Sequence, residues 1–401
     1  MGTLDGIRSI DDLTLDNQRV FIRADFDVPV SQGTVGNDAP LRAALPTVRR
    51  ALEAGARVVM ASDLGSPAGR PTPELSLEPV AARLSELLGA EIYLPDDCVG
   101  EAARKVVQDL RPGQICLLEN LGFYPEEASN DEAFARKLAA FADVYINDAP
   151  TASRRFVASV SALPRLIHER AMGSWLASNL QAALRLAESP ERPFVAIVGG
   201  SATRAKFSLL QALLGRCNTL CVGGVIGNTL LAARGNSMKA SHLEADLLAR
   251  GRTLLAEAAE RRVELLLPVD VIVAPKERAL SGYAALASEI PMGEAAFDVG
   301  PKTVSLFTAR VAAARTVLAH GALGLFENPG FARGSLELLR ALAEASAFSV
   351  VSGKANAALL TRSPDEVVSK LGFVSNAGST SLDLIEGRKL PGVEALRGGA
   401  S

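Results

Sequence analysis

The stretch FVAIVGGSATRAKFSLL, Phe194–Leu210, reads as a buried strand, a glycine pair and then a helix. An unbroken apolar run suits a parallel strand covered on both faces, and glycines at its end let backbone N–H groups and a helix N-terminus approach an anion. This is the local pattern of a phosphate cradle, yet the cation that would meet the phosphate is not obvious. GxxxxGK[ST], which puts a Lys after a second, spaced glycine, occurs nowhere in the chain, so a P-loop is rejected. GxGxxG is absent after the first strand, which removes the main reason to expect a dinucleotide-binding dehydrogenase.

Working outward, the same alternation of apolar runs and helical patterns fills the chain. RVFIRAD, RVVMAS, ICLLEN and DVYIND are strands of the first half, separated by LRAALPTVRRALEAG, LEPVAARLSELLG and DEAFARKLAAFA. After the helical stretch GSWLASNLQAALRLAESPERP the series restarts, with FVAIVGG, TLCVGG, VELLLPVD, VIVA, TVLAHG and FSVVSG as strands of a second sheet. The expected fold is therefore α/β, with two wound, mostly parallel-sheet domains joined by a helix. Their boundary falls around Met172 to Pro193, where Pro190 and Pro193 end the joining helix.

Composition agrees with two domains and a small-molecule partner. A chain of 401 residues exceeds what one hydrophobic core usually fills. A net charge of -3 gives no reason to expect nucleic acid or an anionic membrane as partner. Cys98, Cys116, Cys217 and Cys221 form no CxxC pair and lie in or beside apolar stretches, as buried reduced thiols do. With only 3 histidines and no ligand spacing, no metal site is expected from the residues themselves. Early acidic residues (Asp5, Asp11, Asp12) argue against a signal peptide, and no apolar run approaches the roughly 18 residues of a membrane helix. A cytoplasmic location follows as an expectation.

In open sheets of this kind ligands gather at the carboxyl ends of the strands. There the first half carries Asp25-Phe26-Asp27, Asp63-Leu64-Gly65-Ser66, Glu119-Asn120-Leu121-Gly122 and Asn147-Asp148-Ala149-Pro150. The second half carries Gly199-Gly200, Gly223-Gly224, Gly321-Ala322-Leu323-Gly324 and Ser352-Gly353-Lys354. Each alone reads as readily as a polar turn. Several converging on one sheet edge are better evidence.

These residues resemble the phosphoglycerate kinase family over essentially the whole chain. RVFIRADFDVPV, LRAALPTVRRALEAGARVV, LSLEPVAARLSELLG, LLENLGFYPEE, ADVYINDA, ERPFVAIVGG, LLPVDVIVA, DVGPKT, GLFENPGFARGS and EGRKLPGVEAL occur in the family order. The resemblance implies a phosphoglycerate-binding domain over residues 1–171, a hinge helix and Mg-nucleotide domain over 172–384, and a tail, 385–401, that returns to the first domain. It also implies phosphoryl transfer between 1,3-bisphosphoglycerate and ADP, a reaction run by positioning and by cations that balance charge on the moving group. The family is usually monomeric, and a monomer is expected here.

Against that pattern many site positions are replaced. Asp25 is kept, whereas Asp27 stands at the family Asn, and Pro40 stands at a family arginine. His-Leu-Gly-Arg becomes Asp63-Leu64-Gly65-Ser66, and the arginine of Glu-Asn-x-Arg-Phe-His becomes Gly122. Arg155 alone survives among the phosphate-facing arginines, with Arg154 at a family His. The lysine that reaches the transferring phosphoryl becomes Ala202, while Lys206 matches a second family lysine one helical turn later. Arg204, two residues along the helix, points roughly 200° away from Ala202 and is no simple substitute.

On the nucleotide side Gly199, Gly200, Gly223, Gly224, Glu327 and Gly353 match. Gly-Gly-Asp-Thr becomes Gly353-Lys354-Ala355-Asn356, so ATP or ADP is the expected nucleotide but the carboxylate that would anchor Mg is Ala355. Lys354 is either a new cation for phosphate in place of the metal or a solvated loop lysine. His320, at a family Asn, reads better as a satisfied strand-end histidine than as a titrating group.

Hydrogen bonds to charged groups contribute roughly 1.5 to 3 kcal/mol each, so losing three arginine sites removes several kcal/mol, or a factor of about a thousand. Lys206 and Arg155 remain as candidate catalytic cations. Three functions stay open on this sequence. One is a phosphoglycerate kinase of impaired activity; another is a kinase of an amine-bearing carboxylate that uses Asp25, Asp27 and Asp63. The third is a non-catalytic paralogue with a regulatory or binding role.

Overall fold

A computed structural model describes residues 4–375 and 380–398; the end of the expected tail, residues 399–401, lies outside the described residues, as do residues 1–3. Two compact units make up the chain, Met1–Gln181 with Arg388–Ser401, and Ala182–Gly387. The division falls inside the helix Ser174–Ala187. Within the first unit the returning segment is held by backbone carbonyls: Asn147 Nδ2 donates to Gly392 O at 3.0 Å, and Arg170 donates to Leu396 O at 3.4 Å and to Arg397 O at 2.6 Å.

The first unit has six parallel strands, β1 (Arg19–Ala24), β2 (Arg57–Ala61), β3 (Ile92–Tyr93), β4 (Ile115–Leu117), β5 (Val144–Asp148) and β6 (Glu169–Met172). Their order is β3-β4-β2-β1-β5-β6. Phe21 of β1 lies opposite Val59 of β2 on one side and Tyr145 of β5 on the other. Because β1 is central and covered on both faces, every residue from Val20 to Ala24 is buried, Arg23 included. Helix α1 (Ala39–Glu53) lays Leu41, Ala44, Leu45, Val48 and Ala51 on this core at the helical spacing of three and four. Full burial of a side chain such as Leu41 contributes about 2 kcal/mol.

In the second unit the strands are β7 (Phe194–Val198), β8 (Thr219–Val222), β9 (Glu264–Leu266), β10 (Asp270–Ala274), β11 (Tyr283–Leu286), β12 (Ala295–Val299), β13 (Thr316–His320), β14 (Phe348–Ser352) and β15 (Phe373–Ser375). Six of them form a parallel sheet in the order β9-β8-β7-β13-β14-β15. VIVA, expected in that sheet, belongs instead to a separate antiparallel sheet of order β11-β10-β12. Its partners escaped the sequence because YAAL is largely exposed and AAFDV shows no clean alternation.

Both parallel sheets contain a point where chain order reverses. In the first, β2 follows β1 on one side and β5 returns on the other; in the second, β8 follows β7 on one side and β13 returns on the other. The crevice beyond the carboxyl ends of two such neighbours is where ligands sit in open α/β sheets. That places the candidate residues beyond β1 and β5, and beyond β7 and β13.

The start of the helix Ser174–Ala187 is set by a buried carboxylate. Asp148 accepts the Trp175 and Leu176 amides at 2.9 and 3.0 Å, and burial pushes its carboxyl up to about 7 although those amides pull the other way. A Cβ on Gly173 would stand 2.4 Å from Asp148 Oδ1 and 2.7 Å from its Cβ. Gly173→Ala is therefore expected to lower stability by about 2 kcal/mol in urea denaturation. An unchanged midpoint would contradict this packing.

Candidate functional site

In the first unit the loops after β1, β2 and β5 build one charged cluster. Asp25, at the end of β1, is buried and accepts the amides of Thr151 and, at 3.1 Å, Ala152. Asp63, after β2, lies between two guanidinium groups. Arg23 Nη2 donates to its Oδ1, and Arg155 Nη2 donates to its Oδ2 at 2.6 Å. Arg23 also donates to Ser159 Oγ at 2.9 Å and has Asp25 Oδ1 4.0 Å from its Nη1. Ser159 Oγ in turn donates to Glu127 Oε1 at 2.6 Å.

The electrostatics follow from this geometry. Burial alone would raise the Asp63 carboxyl, but the charges of Arg23 and then Arg155 outweigh it and hold it down at about 2. Burial raises Asp25 against the pull of Arg23, and it raises Glu127 as well. Arg155 is half exposed, yet its guanidinium already holds a carboxylate. One N–H of the guanidinium, from Nη2, is spent on Asp63, and the paired carboxylate offsets part of the attraction it would offer an anionic ligand.

The other expected acceptor-side residues are placed around this cluster rather than in it. Asp27 is exposed, and its Oδ1 accepts the Gly65 amide at 2.8 Å. Ser66 is exposed, and Arg154 is half-buried at the end of the turn Ala152–Arg154. Gly122 donates to Asn120 Oδ1 at 2.9 Å and accepts from the Gly69 amide at 3.2 Å. A Cβ there would stand 3.0 Å from Pro67 Cγ, so the loop has closed over the place where a longer side chain would leave. As for the amine-bearing substrate, Asp25 and Asp63 already have cations and amides as partners.

In the second unit a cleft of about 550 Å³ opens beyond β7, β8 and β13. Its glycines serve backbone packing. A Cβ on Gly199 would stand 2.1 Å from the Ala322 carbonyl oxygen, and one on Gly224 would stand 2.5 Å from the Gly200 amide nitrogen. Gly200, Gly224 and Gly353 have φ of +82°, +65° and +96°, the left-handed region that favours glycine. The amides of Gly199, Gly223 and Gly224 donate to His320, Val198 and Leu323 carbonyls at 2.9, 3.0 and 2.9 Å. Expected to face an anion, these three amides instead hold one loop to another.

Lys206 stands in the first turn of the helix Arg204–Leu214, where Thr203 Oγ1 accepts its amide at 3.2 Å. Its Nζ folds back to donate to the Gly199 carbonyl, and desolvation lowers its pKa to about 8. His320 is pushed down to about 4 by burial and then by the Lys206 charge, and its Nδ1 lies 3.0 Å from Ser352 Oγ. It is a neutral, satisfied strand-end histidine. Asn356 is buried and donates to the Ala319 and Ser352 carbonyls at 3.2 and 3.0 Å, a structural role instead of a ligand-facing one. Lys354 is exposed and does not line the cleft, whereas Ala355 and Glu327 do.

The carboxylate that the resemblance implies for magnesium is absent at its expected position, although Glu277 and Glu327 also line the cleft. The position expected to supply its carboxylate offers the methyl group of Ala355. Of the carboxylates on the cleft wall, Asp298 accepts the Val299 and Gly334 amides, both at 2.8 Å, and burial pushes it up to about 7. Among the described residues, no group of three or more His, Cys, Asp or Glu is gathered as a metal site. Arg23, Ser159, Glu127 and Asp298 escaped the sequence reading. A lone charge inside the apolar run RVFIRAD was the available signal for Arg23, since an arginine there is buried only if paired.

Two wound sheets, each with its loops gathered at the switch point, define the class: α/β proteins that bind small ligands at the carboxyl ends of parallel strands. The family model described as Phosphoglycerate kinase matches residues 10–388. The chain is 44% identical over 394 residues to the phosphoglycerate kinase of Anaeromyxobacter sp. (strain K), covering 97% of this chain and 99% of that one. It is 42% identical over 390 residues to that of Pelotomaculum thermopropionicum, covering 97% and 98%. The solved phosphoglycerate kinase of Coxiella burnetii superposes with a TM-score of 0.87 at 34% identity, covering 97% of this chain and 98% of that one. That of Pyrococcus horikoshii gives 0.81 at 25%, with the same coverage. The chain belongs to the phosphoglycerate kinase family. Among the described residues no helix is long and apolar enough to cross a membrane.

The two arginine partners of Asp63 differ in burial, and that difference is measurable. Arg23 is fully buried, so Asp63→Ala leaves its charge with only Asp25, 4.0 Å away, and the more distant Glu127 to offset it, and is expected to cost about 3 kcal/mol in urea denaturation. Arg155→Ala removes only a half-exposed partner and is expected to cost less than about 1 kcal/mol. The Asp63 contribution is full above the ordinary carboxylate value of 3.8 and is lost as pH falls through about 2. Equal losses for the two variants would contradict this assignment.

Proposed function

We propose that this chain keeps the phosphoglycerate kinase scaffold and does not transfer phosphoryl between ATP and 3-phosphoglycerate at an ordinary rate. The observation that carries this is the Asp63 carboxylate held by both Arg23 and Arg155. Transfer needs cations free to balance the charge that develops on the moving group. Here the surviving arginine already shares a carboxylate with Arg23, and a phosphoglycerate carrying several negative charges would bind beside that carboxylate. Gly122 and Ser66 offer no replacement cation, and Lys206 is turned onto a backbone carbonyl.

This reading favours a non-catalytic paralogue with a binding or regulatory role. A kinase of an amine-bearing carboxylate has less support, since of the three carboxylates offered for the ammonium group Asp25 and Asp63 are engaged. The test is 3-phosphoglycerate-dependent ATP consumption in a coupled assay, with an authentic phosphoglycerate kinase as control. Turnover is expected at least about a thousandfold below the control, the equivalent of about 4 kcal/mol of lost transition-state stabilisation. Turnover within about tenfold of the control would contradict the proposal.

A further inference from the structure

We propose that the open edge of the small antiparallel sheet pairs with the same edge of a second copy of this chain. The product is a weak two-fold dimer in place of the monomer that the resemblance implies, whether or not phosphoryl is transferred. In the ladder between β10 and β11, Val271 lies opposite Ala285 and Val273 opposite Tyr283, and the Ala287 amide donates to Val269 O at 3.0 Å. Antiparallel residues alternate between facing their partner strand and turning away from it. The N–H and C=O groups of Gly282, Ala284 and Leu286 therefore point to the open edge.

The two edges of this sheet are finished differently. On β12 the Ala296 amide donates to Ser241 Oγ at 2.9 Å and Phe297 O accepts the Leu325 amide at 2.7 Å, so the chain covers that edge itself. On β11, among the described residues, the Glu289 amide donating to Leu286 O at 2.9 Å is the one bond of this kind. Edge strands are usually protected by a charge or a proline, and GYAAL, 282–286, has neither. Val269, Leu280, Tyr283, Leu286 and Met292, all on or beside this strand, are five of the seven large hydrophobic side chains exposed among the described residues. Leu280 is 95% exposed and Met292 85%. Apolar side chains gathered in this way mark a surface that meets another protein.

A second copy fits this edge because the strand complements itself. Antiparallel pairing about a two-fold axis at Ala284 lets each Ala284 exchange both backbone bonds with its counterpart, and brings Leu286 N–H to the Gly282 carbonyl of the other copy. It sets Tyr283 opposite Ala285 and Leu286 opposite Gly282, a large side chain against a small one in every such pair. Charge agrees with this direction. Lys276 and Arg278, with Glu277 between them, precede the strand, and Glu289 follows it. The antiparallel arrangement turns the mainly cationic end of one copy toward a carboxylate of the other. A strand of another protein would find the same backbone groups without this match of sizes and charges. So short a strand makes a small interface, and a dissociation constant of about 10 to 100 μM is expected.

Sedimentation velocity on the full chain from about 1 μM to about 1 mM tests this, with hydrogen exchange measured at both ends of the range. A monomer is expected to become a dimer on concentration, with exchange of the Ala284 and Leu286 amides slowed in the concentrated sample alone. Ala284→Lys places like charges opposite each other across the axis and is expected to weaken association at least about tenfold, with the urea midpoint unchanged because Ala284 is exposed. The exchange pattern of the unaltered protein decides the matter even if that variant fails to fold. A monomer at about 1 mM, which would leave the edge to a strand of another protein, overturns the inference. So does a dimer in which segment 282–286 exchanges as fast as in the monomer, or a folded Ala284→Lys protein that associates as before.

Discussion

A fully buried guanidinium on the central strand of the first sheet has to be neutralised where it stands, and Arg23 meets that requirement mainly through Asp63. Taking a charge out of water costs several kcal/mol unless a partner and further hydrogen bonds are in place. Asp63, Ser159 and the neighbouring Asp25 supply them, and Glu127 completes the network behind Ser159. The same carboxylate has a second oxygen, and that oxygen holds Arg155. A structural need inside the sheet thereby fixes the charge state at its rim. One carboxylate is thus shared between a buried guanidinium and a half-exposed one.

The second unit reaches a comparable state by different means. Among the described residues no carboxylate pairs with Lys206; its ammonium is drawn to the Gly199 carbonyl, and burial depresses its pKa. Close loop packing, visible in the contacts that Cβ atoms on Gly199 and Gly224 would make, keeps the cleft well formed although its phosphate-directed donors are engaged. A fold does not by itself fix chemistry, so the function of this chain has to be argued at its sites.

Much of the fold was legible because central parallel strands are continuous apolar runs. RVFIRAD, RVVMAS, FVAIVGG and TVLAHG each became a strand of the expected sheet. The strands that escaped are short or partly polar: Ile92–Tyr93 has two residues, and Glu169–Met172 reads ERAM. Their pairing depends on neighbours distant in sequence, which no local period reveals. That Asp63, Gly122, Ala202 and Ala355 stand where the resemblance implies other residues is read from the sequence alone. Where a side chain points was not. That Asp63 turns between two arginines, that Lys206 folds onto Gly199 and that Asn356 ties down backbone carbonyls are outcomes of packing.

The most direct test of the central claim is a calorimetric titration of 3-phosphoglycerate into the protein at low salt, without nucleotide. Because Asp63 already pairs with Arg155, the expected dissociation constant is weaker than about 1 mM. A dissociation constant in the micromolar range would contradict the account, since it would mean that phosphoglycerate displaces Asp63 or finds cations elsewhere.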